Sequence, residues 1–373
     1  MFYYILFFLF SLGQIGRISF QNQNINFYIY EVVLFGYFIY LFNKYKFTLF
    51  KSKRIKGLYY FPLALAVSLL FSFSNYSFIQ NTTALLYLLR TSFYFILGIY
   101  MHEYFKSKKN MRDVITSGMV LFMISILITS FIQYFLYPNL RNLIYLGWDP
   151  HQFRIFGVFF DTSISAAIFG LVIIYLLIKF NDFLFSKMSR NLLLLAFIIL
   201  GLLTYSRGFY ISILITLIYY LFKNKKIKYI FLLLGVFIIS LYLIPKPFGE
   251  GVNLLRVYSI ESRIYQNREG LKNWYKNPLF GVGYNHLKSV SKIQSVYPEH
   301  ASSAYPSSFI TILATSGLVG LFFFIFALKN LWNYSKMSRY FILFLSVFSL
   351  MDNILLHPFI LFLLLFLIND SQG

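Results

Sequence analysis

Arginine is the residue type in this chain best suited to chemistry. Arg154 stands in "HQFRIFGVFFDTS", Arg207 in "LLTYSRGFY", and Arg263 and Arg268 in "ESRIYQNREGLKNWYKN". Arg90 lies inside an apolar run, "LLYLLRTSFYF". A guanidinium is permanently charged, and its planar fork of donors fits two phosphate oxygens at once. Arginines collected at one membrane face would hold an anionic group there, such as the diphosphate of a lipid carrier. Metal chemistry has little to draw on. The chain has no cysteine, no HExxH motif and no paired-carboxylate motif, and His286 and His300 lack partners at ligand spacing. Thiolate ligands, disulfides and a cysteine nucleophile are excluded with the cysteines, so neither metal nor cofactor is expected.

The elements that must position these arginines are membrane spans. Of 373 residues, 59% are hydrophobic and 12% charged, with a mean hydropathy of +0.68. A soluble domain carries about 25% charged residues, so the chain is an integral membrane protein. Apolar runs of bilayer-spanning length predict spans at 2–20, 26–42, 58–74, 84–101, 114–137, 155–178, 191–205, 209–222, 229–244, 307–328, 340–350 and 354–368. The expected fold is therefore an all-α polytopic bundle of about twelve transmembrane helices, or eleven if residues 340–368 form one broken span. Residues 1–244 would form the main bundle, 245–306 an extracytoplasmic catalytic loop with short helices, and 307–373 the C-terminal spans. The apolar N-terminus lacks a basic n-region and a small-residue cleavage site, and reads as a first span.

Charge sets the orientation. Alternate connections hold 20 basic residues, from Lys44 to Arg54, Lys106 to Arg112, Lys179 to Arg190, Lys223 to Lys228, and Lys329 to Arg339, with Lys56 closing the first cluster. The intervening short loops hold four: Arg17, Arg141, Arg154 and Arg207. The positive-inside rule then puts the N-terminus in the cytoplasm and the 245–306 loop outside. The formal charge of +21 is read as topology-setting lysines rather than as a nucleic-acid footprint.

On this topology Arg154 and Arg207 break the rule and become informative. Arg90 lies about two turns inside the outer end of its span, where an arginine either faces a cavity or partner or snorkels to the interface. In the long loop, "ESRIYQNREGLKNWYKN" predicts an amphipathic helix with Ile264, Leu271, Trp274 and Tyr275 on one face and Arg263 and Arg268 projecting from another. "NPLFGVG" ends it, because proline cannot continue a helix and glycine permits positive φ. Leu279 and Phe280 are expected to press this turn on the membrane surface, and its GxG is a turn rather than a nucleotide loop.

Three blocks, "TYSRGFYISIL", "RIYQNREGLKNWYKNPLFGVGYNHL" and "YPSSFITILATSGLVGLFFFIFAL", resemble the O-antigen polymerase and ligase superfamily. "RIFGVFFDTSISAAI" and "DNILLHP" are similar more loosely, and together the likeness covers roughly residues 150–365. The resemblance implies a multispan glycosyltransferase acting at the outer face on undecaprenyl-diphosphate-linked glycans, donor and acceptor alike, with membrane lipid around it and a chain-length regulator as an optional partner. By position, Arg207 matches the family's Ser-Arg-Gly arginine and Arg263 the arginine ahead of the tryptophan-containing helix. Both are expected to hold the diphosphate, joined by Arg154, Arg268 and Arg90. The family's loop histidine would be the base. Its His-Asn pair stands eleven residues before the glycine equivalent to Gly317, where this chain has Pro306-Ser307. His300, six residues upstream of Pro306 and out of register, is the replacement candidate, its alternative being an ordinary solvated histidine; His286 is a weaker one.

Repeat-unit polymerase is the reading favoured at this point, because ligases more often keep the His-Asn pair. A ligase delivering the glycan to lipid A core or another acceptor shares the donor. A flippase of the same lipid would scatter charges through several span centres and show inverted repeats, and none is found. A peptidoglycan polymerase has no motif in its support.

Overall fold

The apolar runs fold as helices whose ends are set by the residues that interrupt them. The computed structural model describes residues 1–20, 25–46, 56–106, 111–179, 186–247, 250–290 and 304–370. Helix α1 (Phe2–Ser11) stops at Gly13, which has φ +54° and lies so close to Val158 that a Cβ would meet its carbonyl oxygen at 2.5 Å. The first expected span, 2–20, is thus cut short. Arg17–Phe20 (β1) instead pairs antiparallel with Ile25–Tyr28 (β2), Arg17 opposite Tyr28 and Phe20 opposite Ile25, so the fold is not purely α. The hairpin is possible here because two glycines, Gly13 and Gly16, break the helix before Arg17.

Eight more helices follow before the long loop: α2 (Ile29–Tyr45), α3 (Lys56–Ser72), α4 (Phe78–Lys106), α5 (Met111–Leu136), α6 (Thr162–Ile178), α7 (Lys187–Leu202), α8 (Arg207–Lys223) and α9 (Ile230–Leu243). The loop holds α10 (Tyr258–Lys276) and the single turn α11 (Leu287–Val290). Then come α12 (Ser308–Trp332), α13 (Lys336–Phe348) and α14 (Pro358–Asp370). Residues 340–368 therefore form two helices joined by a turn around Asp352, not one broken span. Gly57–Asn75, Phe78–Phe105, Asp113–Leu136 and Ser308–Trp332 are each long and apolar enough to cross a bilayer, and α1, α6 and α14 are shorter apolar helices. The chain is a polytopic helical membrane protein.

Helix α6 is the core. It is apolar on every side and buried from Ile164 to Leu176, as a helix without a polar face must be. It packs on α7, α8, α13 and α14. A second seam is aromatic, with Phe10 stacked on Phe362 at 4.0 Å between ring centres. Lys44, Lys187, Lys223, Lys329 and Lys336 fall at the helix ends expected to be cytoplasmic, while the 250–290 segment, the α7–α8 turn and the α13–α14 turn meet at the other end.

The turn 278–283 of the long loop is fastened largely through backbone hydrogen bonds. Helix α12 breaks at Gly317 (φ +63°, ψ −164°), and the turn 278–283 docks into the break. Val282 N donates to Ala314 O (2.9 Å), Gly283 N to Thr315 O (2.9 Å), Leu318 N to Pro278 O (2.9 Å) and Val319 N to Leu279 O (3.2 Å). Ser68 of α3 adds its hydroxyl, 2.8 Å from both Phe280 O and Thr315 O. Broken helices need such partners, because an unpaired backbone group is costly at membrane depth. The approach is close enough to demand glycine on both sides. A Cβ on Gly281 (φ +69°) would lie 2.4 Å from Thr315 C, and one on Gly317 would lie 2.2 Å from Leu279 O.

Helix α10 forms as expected, but with a different face inward. Gly270 lets it approach Tyr305 and Ile310, and Asn273 donates to the Tyr305 hydroxyl at 2.7 Å. Ile264, Leu271 and Tyr275 are exposed instead. Amphipathic periodicity identified the helix, but a glycine chose the contact. Phe280 stacks on Phe71 of α3 (4.2 Å, 11° between planes), while Leu279 is exposed.

Candidate active site

The Ser-Arg-Gly stretch at the start of α8 shows how local sequence builds the site. Tyr205 turns the chain in the left-handed region (φ +51°), and Ser206 caps α8 by accepting from Phe209 N at 3.4 Å. Arg207 is the first helical residue, and its guanidinium reaches up to the long loop. Nη1 donates to Arg256 O (3.3 Å) and Leu254 O (3.5 Å), and Nη2 to Ser259 Oγ (2.6 Å). Gly208 leaves room behind it: a Cβ there would meet Phe348 at 2.5 Å and Asp352 Oδ2 at 2.9 Å. The glycine thus admits a carboxylate against the first turn of α8, where the helix dipole favours it.

That carboxylate is the pivot. Arg263 of α10 donates from Nη2 to Asp352 Oδ1 (2.7 Å) and from Nη1 to Met351 O (2.7 Å). Arg256 sits beside them, donating from Nε to Ser259 Oγ (3.2 Å) and from Nη1 to Gly251 O and Asn253 O. Arg154 closes the group from the α5–α6 connection, buried, with Nε on Thr204 O at 2.8 Å. Asp352 attracts all four guanidinium groups. It raises the proton affinity of Arg263 beyond the ordinary value, whereas burial, and then Arg207 and Arg263, lower that of Arg256. Burial, and then Arg256, lower that of Arg154 to about 9. An arginine does not give up its proton under such pressure. Several guanidinium groups gathered in one place raise the local concentration of anions. Each guanidinium has five donors, and those of Arg207 engage three acceptors, leaving donors for phosphate oxygens.

The expected residues divide. Arg207, Arg263 and Arg154 come together. Arg268 does not join them: it is exposed, about 140° further round α10 than Arg263 at 3.6 residues per turn. Arg90 is engaged elsewhere. Its Nε and Nη2 donate to the two carboxylate oxygens of Glu31 on α2, each at 2.7 Å. Tyr94 OH also donates to Glu31 (2.7 Å), and the Arg90 guanidinium lies 5.1 Å from the Tyr28 ring centre. The cavity-or-partner alternative holds for Arg90, and the partner is Glu31. Breaking one side of a buried pair costs about 3–5 kcal/mol. Arg90→Ala should therefore lower the thermal unfolding transition in detergent sharply, and Arg90→Met combined with Glu31→Gln should recover most of it. A loss under about 1 kcal/mol in the single variant would mean that the pair is not what holds Arg90.

His300 lies outside the described residues. His286 is buried and stacked on Tyr76 (3.8 Å, 17°) beside Ser72 and Gly283, and burial pushes its pKa down to about 4. The position of the family's His-Asn pair serves as a fastening. Ser307 Oγ and Ser308 N donate to Ser349 O (3.1 and 3.0 Å), and Leu355 N donates to Ser308 Oγ (3.3 Å). These bonds tie α12 to the turn that carries Asp352.

Four residues at the mouth were not singled out from the sequence: Arg256, Asp352, His151 and Asp161. Asp352 had a signal, being one of only 12 acidic residues and lying between two apolar spans. His151 is held neutral, its pKa driven well below the usual range by burial and then by Arg154 and Arg256. Asp161 caps α6, accepting from Ser163 N (2.6 Å) and Ile164 N (3.0 Å), and burial pushes its carboxyl up to about 6.

Residues 192–325 match the O-antigen ligase family. That segment runs from α7 past the break in α12 and carries Arg207, Arg256, Arg263, Gly281 and Gly317. Arg154, Asp161 and Asp352 lie outside it. No curated protein matches the chain. The match, which spans about a third of the chain, supports the O-antigen polymerase and ligase superfamily and a role in polysaccharide assembly at a membrane.

Proposed function

We propose that the protein polymerises undecaprenyl-diphosphate-linked oligosaccharide repeat units for O-antigen, capsule or exopolysaccharide. The reading places twelve spans in the cytoplasmic membrane, with the N-terminus inside and the 245–306 loop outside as the catalytic loop. The observation that carries it is the mouth itself, where Asp352 pairs with Arg263 and acts through its charge on Arg154, Arg207 and Arg256.

In this reaction an acceptor sugar hydroxyl attacks C1 of the reducing-end sugar of a growing lipid-linked chain. The O–C1 glycosidic bond forms, the bond from C1 to the diphosphate oxygen breaks, and the hydroxyl proton passes to a base. The departing undecaprenyl diphosphate gathers negative charge, which prearranged guanidinium groups stabilise. Holding two lipid-linked sugars in one orientation supplies much of the rest. The ligase reading uses the same mouth and the same donor, with a different acceptor, and the family match is its support. Pro306-Ser307 in place of the His-Asn pair favours the polymerase.

Surface and lipid-linked glycans from a deletion strain, run on one gel, separate the readings. A single capped repeat is the result expected for a polymerase. Accumulated lipid-linked polymer would instead identify a ligase, and repeat units trapped on the cytoplasmic side a transporter.

A further inference from the structure

The mouth holds cations for a leaving group, but the reaction also needs a group to take the acceptor's proton. We propose that Asp161 is that general base, and that the acceptor sugar lies along the loop 147–161. The inference rests on the glycosyl-transfer reading above.

The first ground is the state of the carboxylate. Asp161 Oδ1 accepts both capping bonds, from Ser163 N and Ile164 N, and among the described residues no hydrogen bond falls on Oδ2. The second is where it faces. Asp161 acts on Arg154 and on Arg263, the guanidinium groups that bracket the mouth, and itself feels the charges of Asp149 and Asp352. A base there lies beside the leaving-group site without being tied into it.

The third ground is the wall next to it. Phe160, immediately before Asp161, sits edge-on to Trp148 at 5.5 Å, and the Arg17 guanidinium lies 4.9 Å from the Trp148 ring centre. Both aromatic rings are half-buried. Aromatic rings beside carboxylates suit a sugar, whose C–H face packs on a ring while its hydroxyls donate to the acid.

His151 is the rival in the same loop, and charge decides against it. Taking a proton would make it a cation between Arg154 and Arg256. Asp161 changes from anion to neutral, so protonation adds no cation to the mouth. The diphosphate strengthens the choice, because a second anion at the arginines makes Asp161 a better proton acceptor. Its carboxyl already stands at about 6, raised first by burial and also by Asp149 and Asp352, against the lowering pull of the Ile164 and Ser163 N–H groups. A general base works best with a pKa close to the operating pH.

Asp161→Asn is the discriminating variant. Asparagine caps a helix as well as aspartate does, so a purely structural Asp161 would tolerate it. The probe is the lipid-linked repeat unit that accumulates in a deletion strain, extracted and returned to the purified full-length protein in detergent. Wild-type transfer should rise with pH through about 6, as Asp161 loses its proton, and level off above. Asp161→Asn should fall by about 10²–10⁴-fold and lose that acid limb, while lipid-linked donor still binds. A variant within tenfold of wild type that keeps the limb overturns the inference. Should the asparagine form fail to fold, Asp161→Ser, which also caps, is held to the same two criteria. A wild-type protein that makes no longer chains from these units overturns the glycosyl-transfer reading itself, which the Asp161 result alone does not touch.

Discussion

Replacing Arg207 with alanine is expected to abolish glycan transfer while the protein still inserts in the membrane. The residue gives the mouth a permanent charge at the first turn of α8, and it holds the 254–259 segment through Leu254 O, Arg256 O and Ser259 Oγ. Losing one such donor from a site of developing charge costs about 10²–10³-fold in rate. Losing the register of Arg256 against Asp352 adds to that. Arg207→Lys keeps the charge but not the fork, and a single ammonium cannot span those three acceptors with the same geometry. It should retain a small fraction of activity. Ser259→Ala removes only one of the three contacts and should be milder than either. Glycan ladders normalised to the amount of protein in the membrane provide the measurement, and full-length polymer from the alanine variant would remove Arg207 from the mechanism.

Valine at Gly281 or at Gly317 should prevent the fold rather than slow the chemistry. Both glycines have positive φ, and the Cβ positions fall 2.2–2.5 Å from backbone atoms of the opposing segment. Nothing flexible stands in the way that could rotate aside. A non-glycine residue held in a strained backbone region costs about 1–3 kcal/mol, before the clash is counted. The turn 278–283 would have to leave the break in α12, exposing the backbone groups of Ala314, Thr315, Pro278 and Leu279 that now pair across it. Loss of a monodisperse detergent-solubilised species is the expected result for either variant. Val282→Ala, which keeps its backbone bond to Ala314 O, should remain folded. A Gly317→Val protein that melts with the wild type would show that the docked turn is dispensable.

The residues "NWYKNPLFGVGYNHL" illustrate how far one-dimensional reading reaches. The helix before the proline and the turn after it were both legible, because proline and glycine act locally on φ and on hydrogen bonding. The partner of that turn was not. It lies some 35 residues on, in a helix whose apolar pattern runs through Gly317 without a break. A break in backbone geometry leaves no trace in hydropathy.

By itself the sequence determined the class of the molecule, most of the helical segments, and the alternation of strongly basic with sparsely charged connections. Those properties follow from composition, period and charge order, which are written along the chain. Only the tertiary structure decided which charges meet. It sent Arg90 to Glu31, left Arg268 exposed, and brought Arg154, Arg207, Arg256 and Arg263 within the field of Asp352 from three separate stretches of chain. It also turned the N-terminal run at Gly13 into a hairpin and chose Gly270, not the apolar stripe, as the inward face of α10. An ion pair between distant segments depends on the approach of whole helices. That approach is set by where a missing side chain lets two backbones touch.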